Sequence, residues 1–500
     1  MFAQKRILSR CLISSFMIVF FFLILYSCKK NNSIKEKIDG LMDYCYENDL
    51  YNGTVLVAHK GKVIYQNAFG YSDFETKKPL KLNSQFCLGS LSKPFTAMAI
   101  MILKERNRLK YEDKLSTYFP EFPDYANQVT IKYLLTHAAG ITNWVNHDVF
   151  RSGPGDFIDD LTNKDVFNFL IKQKSLDFAP GEKYVYSNGG YVLLAMIVEK
   201  ASGEPFHVFM KKNIFDPLGM KDTAVFDESK PEIRDKVIGY DMFGDKDDAN
   251  LLVTGDGGIY STAEDVFKWE RALYTEKLVT QKTLQEAFTP NKLNNGLIAT
   301  NRSGYSYGYG WVVHIKDKIN NAVFHDGGLN GFSTMLYREL NNQNAIIFLT
   351  NKGSSFQSYP TLEAVLNILH GEPMKLPAIP IIGVMNRTIA EKGMETAFNE
   401  YHELKKANAA KYDFSEGQLN GLGYRYLNKQ KYEEAKAIFK LNVEIFPDSS
   451  NAYDSYGEAC LSNGEYDEAI KNYKRSLELN PDNTSAVERL RKINDKMIKK

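Results

Sequence analysis

Apolar and polar residues alternate through "TVLVAHKGKVIYQNAFGY" (54–71), a period of two that predicts two strands around a Lys60-Gly61 turn. The run "PFTAMAIMILKERN" (94–107) is apolar nearly all round, which predicts a largely buried helix. "VTIKYLLTHAAGI" (129–141) has the spacing of a short helix that ends at Gly140. Late in the chain "GYGWVVHI", "AVFHDGGLNGFSTMLYREL" and "NAIIFLTN" read as three further strands, punctuated by Gly or Asn turns. Two early strands, a helical middle and several late strands predict an α+β domain over residues 34–371. Its single antiparallel sheet would bring the two ends of the domain together.

The character changes after Gly371. "GEPMKLPAIPII" is Pro-rich, and the following stretch has a helical pattern with a polar face, so 372–411 is expected to be a linker and helix. Residues 412–500 then repeat at a lag of 34: Gly423 with Gly457, Leu427 with Leu461, Tyr432 with Tyr466, Ala435 with Ala469, Phe439 with Tyr473, and Pro447 with Pro481. Small residues at helix contacts, a late aromatic and a terminal proline at that period resemble tetratricopeptide repeats. Two repeats are legible, and "NTSAVERLRKINDKM" would be their polar capping helix. Three repeats are usual for stability, so the helix around 395–407 is a candidate for a degenerate extra one. Such a module implies a protein or peptide partner.

Composition narrows the class. Apolar content of 44% with 13% aromatics supports a sizeable core and excludes a disordered chain. With 62 basic and 61 acidic residues and no basic block, nothing points to nucleic acid. Five cysteines without paired spacing argue against a zinc site or a disulfide framework. The beginning of the chain is more specific: Lys5, Arg6 and Arg10 precede the apolar stretch 11–27, which ends "LYSC". That ending resembles the lipobox of bacterial lipoproteins, which implies a signal peptide over 1–27 and lipidation of Cys28. The mature protein would then be lipid-anchored in the bacterial cell envelope, facing the periplasm or the cell surface. An uncleaved signal anchor is the alternative, and either way the remainder is exported. Cys45, Cys87 and Cys460 would remain, an odd number that leaves at least one free or paired between chains.

Candidate chemistry begins in "CLGSLSKPFTAMAI" (87–100), where Ser90 and Lys93 stand one helical turn apart. Burial would favour the neutral amine, which can take the hydroxyl's proton and make a nucleophile. The same residues also read as an ordinary helix start, with Ser90 as cap and Lys93 solvated. Two further stretches tip the balance: "PGEKYVYSNGGY" (180–191), with Tyr186 and Asn188, and "FHDGGLNGFST" (324–334), with His325, Gly327 and Gly328. In this order, with "TIKYLLTHAAGI", "SGEPFHVFMKKNIFDPLGMKDT" and "GDGGIYSTAEDVFKW" around them, they resemble the serine hydrolases of the penicillin-binding and class C β-lactamase family over about residues 40–370.

The resemblance implies the roles. Ser90 would be the acylated nucleophile, and Lys93 and Tyr186 would share the general-base work, the tyrosine favoured as phenolate by cationic neighbours. Asn188 would hold the substrate amide and orient Lys93. The backbone N–H groups of Ser90 and Gly328 would form the oxyanion hole. Gly327 would let an acyl group lie against the strand, and no cofactor would be needed. The departure is His325-Asp326-Gly327, where relatives carry Lys-Thr-Gly or Lys-Ser-Gly. A group titrating near neutrality replaces a permanent cation, and Asp326 adds negative charge, which argues against a dedicated β-lactamase. His137 is expected to be structural. The reading is an exported serine acyl-hydrolase acting on a small peptide or ester. The alternative is a catalytically decayed scaffold or sensor that works through its repeats.

Overall fold

The alternation at 54–71 folds as a hairpin, β1 (Gly53–His59) and β2 (Lys62–Phe69), turning at Lys60 and Gly61, both at positive φ. The structure, a computed structural model, describes residues 33–153, 156–248, 251–301, 303–315, 321–353 and 358–498. Cys28 and the apolar stretch before it lie outside the described residues. Among those described, no helix is long and apolar enough to cross a membrane.

The late strands are β3 (Ser306–Tyr307), β4 (Val312–Val313), β5 (Ala322–Leu329), β6 (Phe332–Glu339) and β7 (Asn344–Thr350). The stretch 322–340, expected as one strand, is itself a hairpin. Asn330 takes φ 46° and Gly331 follows, a turn that a uniform reading of the apolar run passes over. All seven strands form one antiparallel sheet in the order β3-β4-β5-β6-β7-β1-β2. The ends of the domain do meet: β1 pairs with β7 from Gly53↔Thr350 to Ala58↔Ala345.

Each sheet face has its own cover. Helix α1 (Ile34–Glu47) opens with a capping box between Ser33 and Glu36 and buries Ile38, Leu41, Met42 and Cys45, the i, i+3, i+4, i+7 stripe of an amphipathic helix. It packs with Leu362, Val365 and Ile368 of α5 (Ser358–His370) over one face. The other face carries the helical middle around α2 (Lys93–Glu105), where all residues from Lys93 to Leu103 are buried. Further helices there are α3 (Asn188–Ser202) and α4 (Ala263–Ala272). The helix expected to reach Gly140 is shorter, Ile131–Leu135. His137 then adopts φ 54°, and its carbonyl accepts from Val185 N–H, tying this loop to the Tyr186 segment.

Beyond Gly371 the chain is less of a tether than its prolines suggest. Helices α6 (Ile381–Lys392) and α7 (Met394–Asn408) turn at Gly393 and precede α8 (Glu416–Asn428) and α9 (Tyr432–Ile445). Ile381, Ile382, Met385 and Tyr401 share one apolar cluster with Leu419, Leu422 and Phe439, so 372–411 is continuous with the first repeat. The second repeat is α10 (Ser450–Ser462) and α11 (Tyr466–Leu479), followed by α12 (Thr484–Ile498). The repeat pattern has a steric cause. A Cβ on Gly423 would stand 2.5 Å from the Phe439 ring, and one on Gly457 3.1 Å from Tyr473, so each glycine admits the aromatic of its partner helix. Cys45, Cys87 and Cys460 are all free and buried.

Candidate active site

A tight 3-10 turn, Gly89–Ser92, feeds directly into α2, so Ser90 and Lys93 sit where the sheet meets the central helix. The turn requires its glycines. Gly89 adopts φ 53°, and a Cβ there would lie 3.1–3.2 Å from the Gly328 backbone. On β5, a Cβ on Gly327 would stand 1.9 Å from the Leu88 carbonyl oxygen and 2.5 Å from Thr334 Oγ1. Gly327 therefore faces the nucleophile turn rather than a substrate, which corrects its expected binding role. Gly328, with open space at its Cβ position, borders the cleft together with Ser90. We expect Gly327→Ala to force β5 away from the turn, lowering the melting temperature and cutting turnover more than tenfold. Unchanged labelling of Ser90 by a serine-directed probe in that variant would contradict this account.

Lys93 is the centre of the site and is fully buried. Its Nζ donates to Ser90 Oγ (2.9 Å), to Asn188 Oδ1 (2.7 Å) and to the Asp256 carbonyl (2.8 Å). The rings of Tyr186 and Tyr191 stand 4.9 and 5.7 Å from Nζ and exclude water. Burial pulls the amine down to about 8, against the opposing pull of Asp256 and Asp326. Stripped of one proton, Lys93 has two N–H donors left, and two carbonyl oxygens to receive them. Its lone pair then faces the Ser90 hydroxyl. Asn188 begins α3, and its amide is oriented by Asn143, whose Oδ1 accepts from both Asn188 N–H (3.0 Å) and Nδ2 (3.2 Å). Asp256 is held by Trp144 Nε1–H at 3.0 Å.

Tyr186 stands beside Ser90, whose hydroxyl Lys93 also contacts. Burial raises its phenol well above the ordinary value, although Ser90 works against the rise, so in the resting site Tyr186 is neutral and not the phenolate expected from its cationic neighbour. One buried cation beside several tyrosine rings does not repay the desolvation of a phenolate.

His325 departs further from expectation. It is 2% exposed, its Nε2 is 2.9 Å from Tyr307 Oη, and its Nδ1 is 2.6 Å from the Asp326 carbonyl. A carbonyl only accepts, so Nδ1 carries a proton, while the Tyr307 hydroxyl can donate to Nε2 or accept from it. Burial lowers the basicity of His325, despite Asp326. His325 is thus neither a group titrating near neutrality nor part of the cleft wall. Asp326 is also turned from the site: its carboxylate accepts from Tyr359 on α5, the helix on the other sheet face. His137 is structural, as expected. Its Nδ1 accepts from Ser187 N–H at 3.1 Å, and its ring lies 4.2 Å from that of Tyr186.

The cleft has a volume of about 690 Å³. Trp144, Val145, Arg151 and Phe157 line one side, and Asp241, Lys246, Asp247 and Asn330 line another. Beside it β5 runs on beyond its last pair with β4, Val312↔Phe324, and among the described residues no strand pairs with that outer edge past this point. Asn143, Trp144, Asp256 and Tyr307 were missed in the sequence because none belongs to a spaced motif with Ser90; they act by orienting residues that do.

A serine hydrogen-bonded to a buried lysine at the root of a central helix, beside a strand edge, is the arrangement of a serine hydrolase of the penicillin-binding kind. The comparisons agree. The Beta-lactamase family profile matches residues 34–368, and the chain belongs to that family. A Tetratricopeptide repeat profile matches residues 457–483. Penicillin-binding protein 4* of Bacillus subtilis (strain 168) is 35% identical over 372 residues, covering 69% of this chain and 78% of that protein. Among solved structures, the octameric penicillin-binding protein homologue from Pyrococcus abyssi superposes with a TM-score of 0.60 at 26% identity, covering 71% of this chain and 81% of its own. A penicillin binding protein from Bacillus halodurans gives 0.58 at 25% identity, covering 66% and 98%.

Proposed function

We propose that the protein is an exported, lipid-anchored acyl-hydrolase that cleaves an amide or ester through an acyl-enzyme on Ser90, acting on a D-amino-acid-containing peptide or a small ester. The observation that carries this reading is the buried Lys93 amine, given two carbonyl acceptors and one hydroxyl. Ser90 Oγ attacks the substrate carbonyl carbon as its proton passes to Lys93 Nζ. The backbone N–H groups of Ser90 and Gly328 receive the oxyanion. As the tetrahedral intermediate collapses, the bond to the leaving amine or alcohol breaks, and the neutral Tyr186 phenol is placed to relay a proton from Lys93 to it. Water then attacks the acyl-enzyme, Lys93 takes its proton, and Ser90 Oγ leaves as the restored hydroxyl. Each donor in this cycle is held before substrate arrives, which supports an enzyme over a decayed scaffold.

The absence of a lysine at position 325 and the burial of His325 leave that position without the cation that would hold a β-lactam carboxylate. We therefore assign β-lactams as weak, slowly turned-over ligands. Cys28 is proposed as the lipidated residue that anchors the protein to the cell envelope, and diacylglyceryl or triacyl cysteine in the membrane-extracted protein would establish it. For the activity, the test is labelling with a fluorophosphonate probe, followed by a panel of D-amino-acid peptides, short esters and a chromogenic cephalosporin. A single adduct on the Ser90 peptide and turnover of an ester or D-peptide are expected. No adduct and no turnover would overturn the reading.

A further inference from the structure

The cleft wall formed by Asp241, Lys246 and Asp247 is braced from outside by the repeat module. Asp241 N–H donates to the Asp245 carbonyl at 2.8 Å, and Asp241 Oδ1 accepts from the N–H groups of Phe243 (2.8 Å) and Asp245 (2.9 Å), closing a compact turn. The tip of that turn, Met242 and Phe243, packs into the apolar cluster built by α6 to α9. Arg425 of α8 then clamps it. One terminal nitrogen of its guanidinium lies 3.2 Å from Asp241 Oδ2, the other 3.1 Å from Asp245 Oδ2, and the plane lies 3.9 Å from the Phe243 ring centroid. The Arg425 side chain is only 13% exposed, held under Phe243, while its carboxylate partners Asp241 and Asp245 are 32% and 51% exposed. From the turn the chain passes straight to the wall: Lys246 is exposed on the cleft, and Asp247 binds Asn330 Nδ2 at 2.7 Å and Gly331 N–H at 2.8 Å.

We propose that Arg425 is a positioning residue for substrate. It holds the Asp241–Asp247 wall at the cleft and so favours extended, anion-terminated peptides or esters that reach from Ser90 to Lys246. This rests on the hydrolase reading above. The repeats then contribute to specificity and not only to partner binding, because a two-point guanidinium clamp fixes orientation as well as distance. Lys429, which also pairs with Asp245 at 2.6 Å, is 48% exposed and makes one contact, so it adds little.

The test compares two substrates on the full chain: a short acetyl ester, which needs only Ser90 and its neighbours, and a peptide ester ending in a carboxylate. Arg425→Ala should raise KM for the long substrate by about tenfold, with kcat held and the acetyl ester unchanged. Arg425→Lys, which keeps the charge but not the fork, should recover part of the loss and serves if the alanine variant does not fold. Equal losses on both substrates, or unchanged KM in both variants, would overturn the proposal. If wild-type protein turns over neither ester and takes no serine probe, the hydrolase reading has failed instead.

Discussion

Replacing Ser90 by Ala should lower turnover by a factor on the order of 10⁴–10⁶ while leaving stability within about 0.5 kcal/mol of the native protein. The two effects separate because of what Lys93 keeps. Without the Ser90 hydroxyl, Nζ still donates to Asn188 Oδ1 and to the Asp256 carbonyl, so both oxygens keep their donor. Lys93→Ala should cost as much activity and should destabilise as well. It leaves two buried carbonyl oxygens without their donor, at about 1–3 kcal/mol each, and empties the volume between α2 and the Tyr186 and Tyr191 rings. Paired rate and melting measurements on the two variants decide the matter. A loss under tenfold for Ser90→Ala would mean that another residue is the nucleophile.

What the sequence made legible, and what it hid, follows from the range of the interactions. The sheet strands announce themselves by local alternation, and β1 and β2 appear where the pattern puts them. The β5–β6 hairpin was read as one strand because its Asn330-Gly331 turn interrupts the apolar run only briefly. Ser90, Lys93, Tyr186 and Asn188 were found as motif residues, and Lys93, Asn188 and Tyr186 do converge on Ser90. Burial was not legible. His325 carries the same letter whether it faces a cleft or lies behind Tyr307, and only packing tells the two apart. Gly327 was recognised as a place that excludes side chains, but the group it admits is the Leu88 carbonyl and not a substrate. The Arg425 clamp was hidden for another reason: 184 residues separate it from Asp241, and no periodicity links them.

The pH dependence of the reaction should be governed by Lys93 and not by His325. The folded protein depresses the Lys93 amine from its ordinary 10.5 to about 8, chiefly by burial. Below that value the ammonium has no lone pair for the Ser90 proton, so kcat/KM should rise with pH through about 8 and level off above it. The same shift has a stability consequence of defined sign. Between about 8 and 10.5 the unfolded chain holds a proton that the folded chain has released, so the Lys93 contribution to stability rises with pH across that window. Below it, both states are protonated and the buried ammonium opposes folding in full. His325 adds no second limb near neutrality, because burial pushes it well below its ordinary value. His325→Gln should therefore keep the position of the alkaline rise, though it disturbs the Tyr307 contact and lowers the plateau. A profile flat through about 8 in the wild-type protein would remove Lys93 as the base. Loss of the rise in His325→Gln alone, with Lys93 intact, would return the proton-transfer role to the histidine.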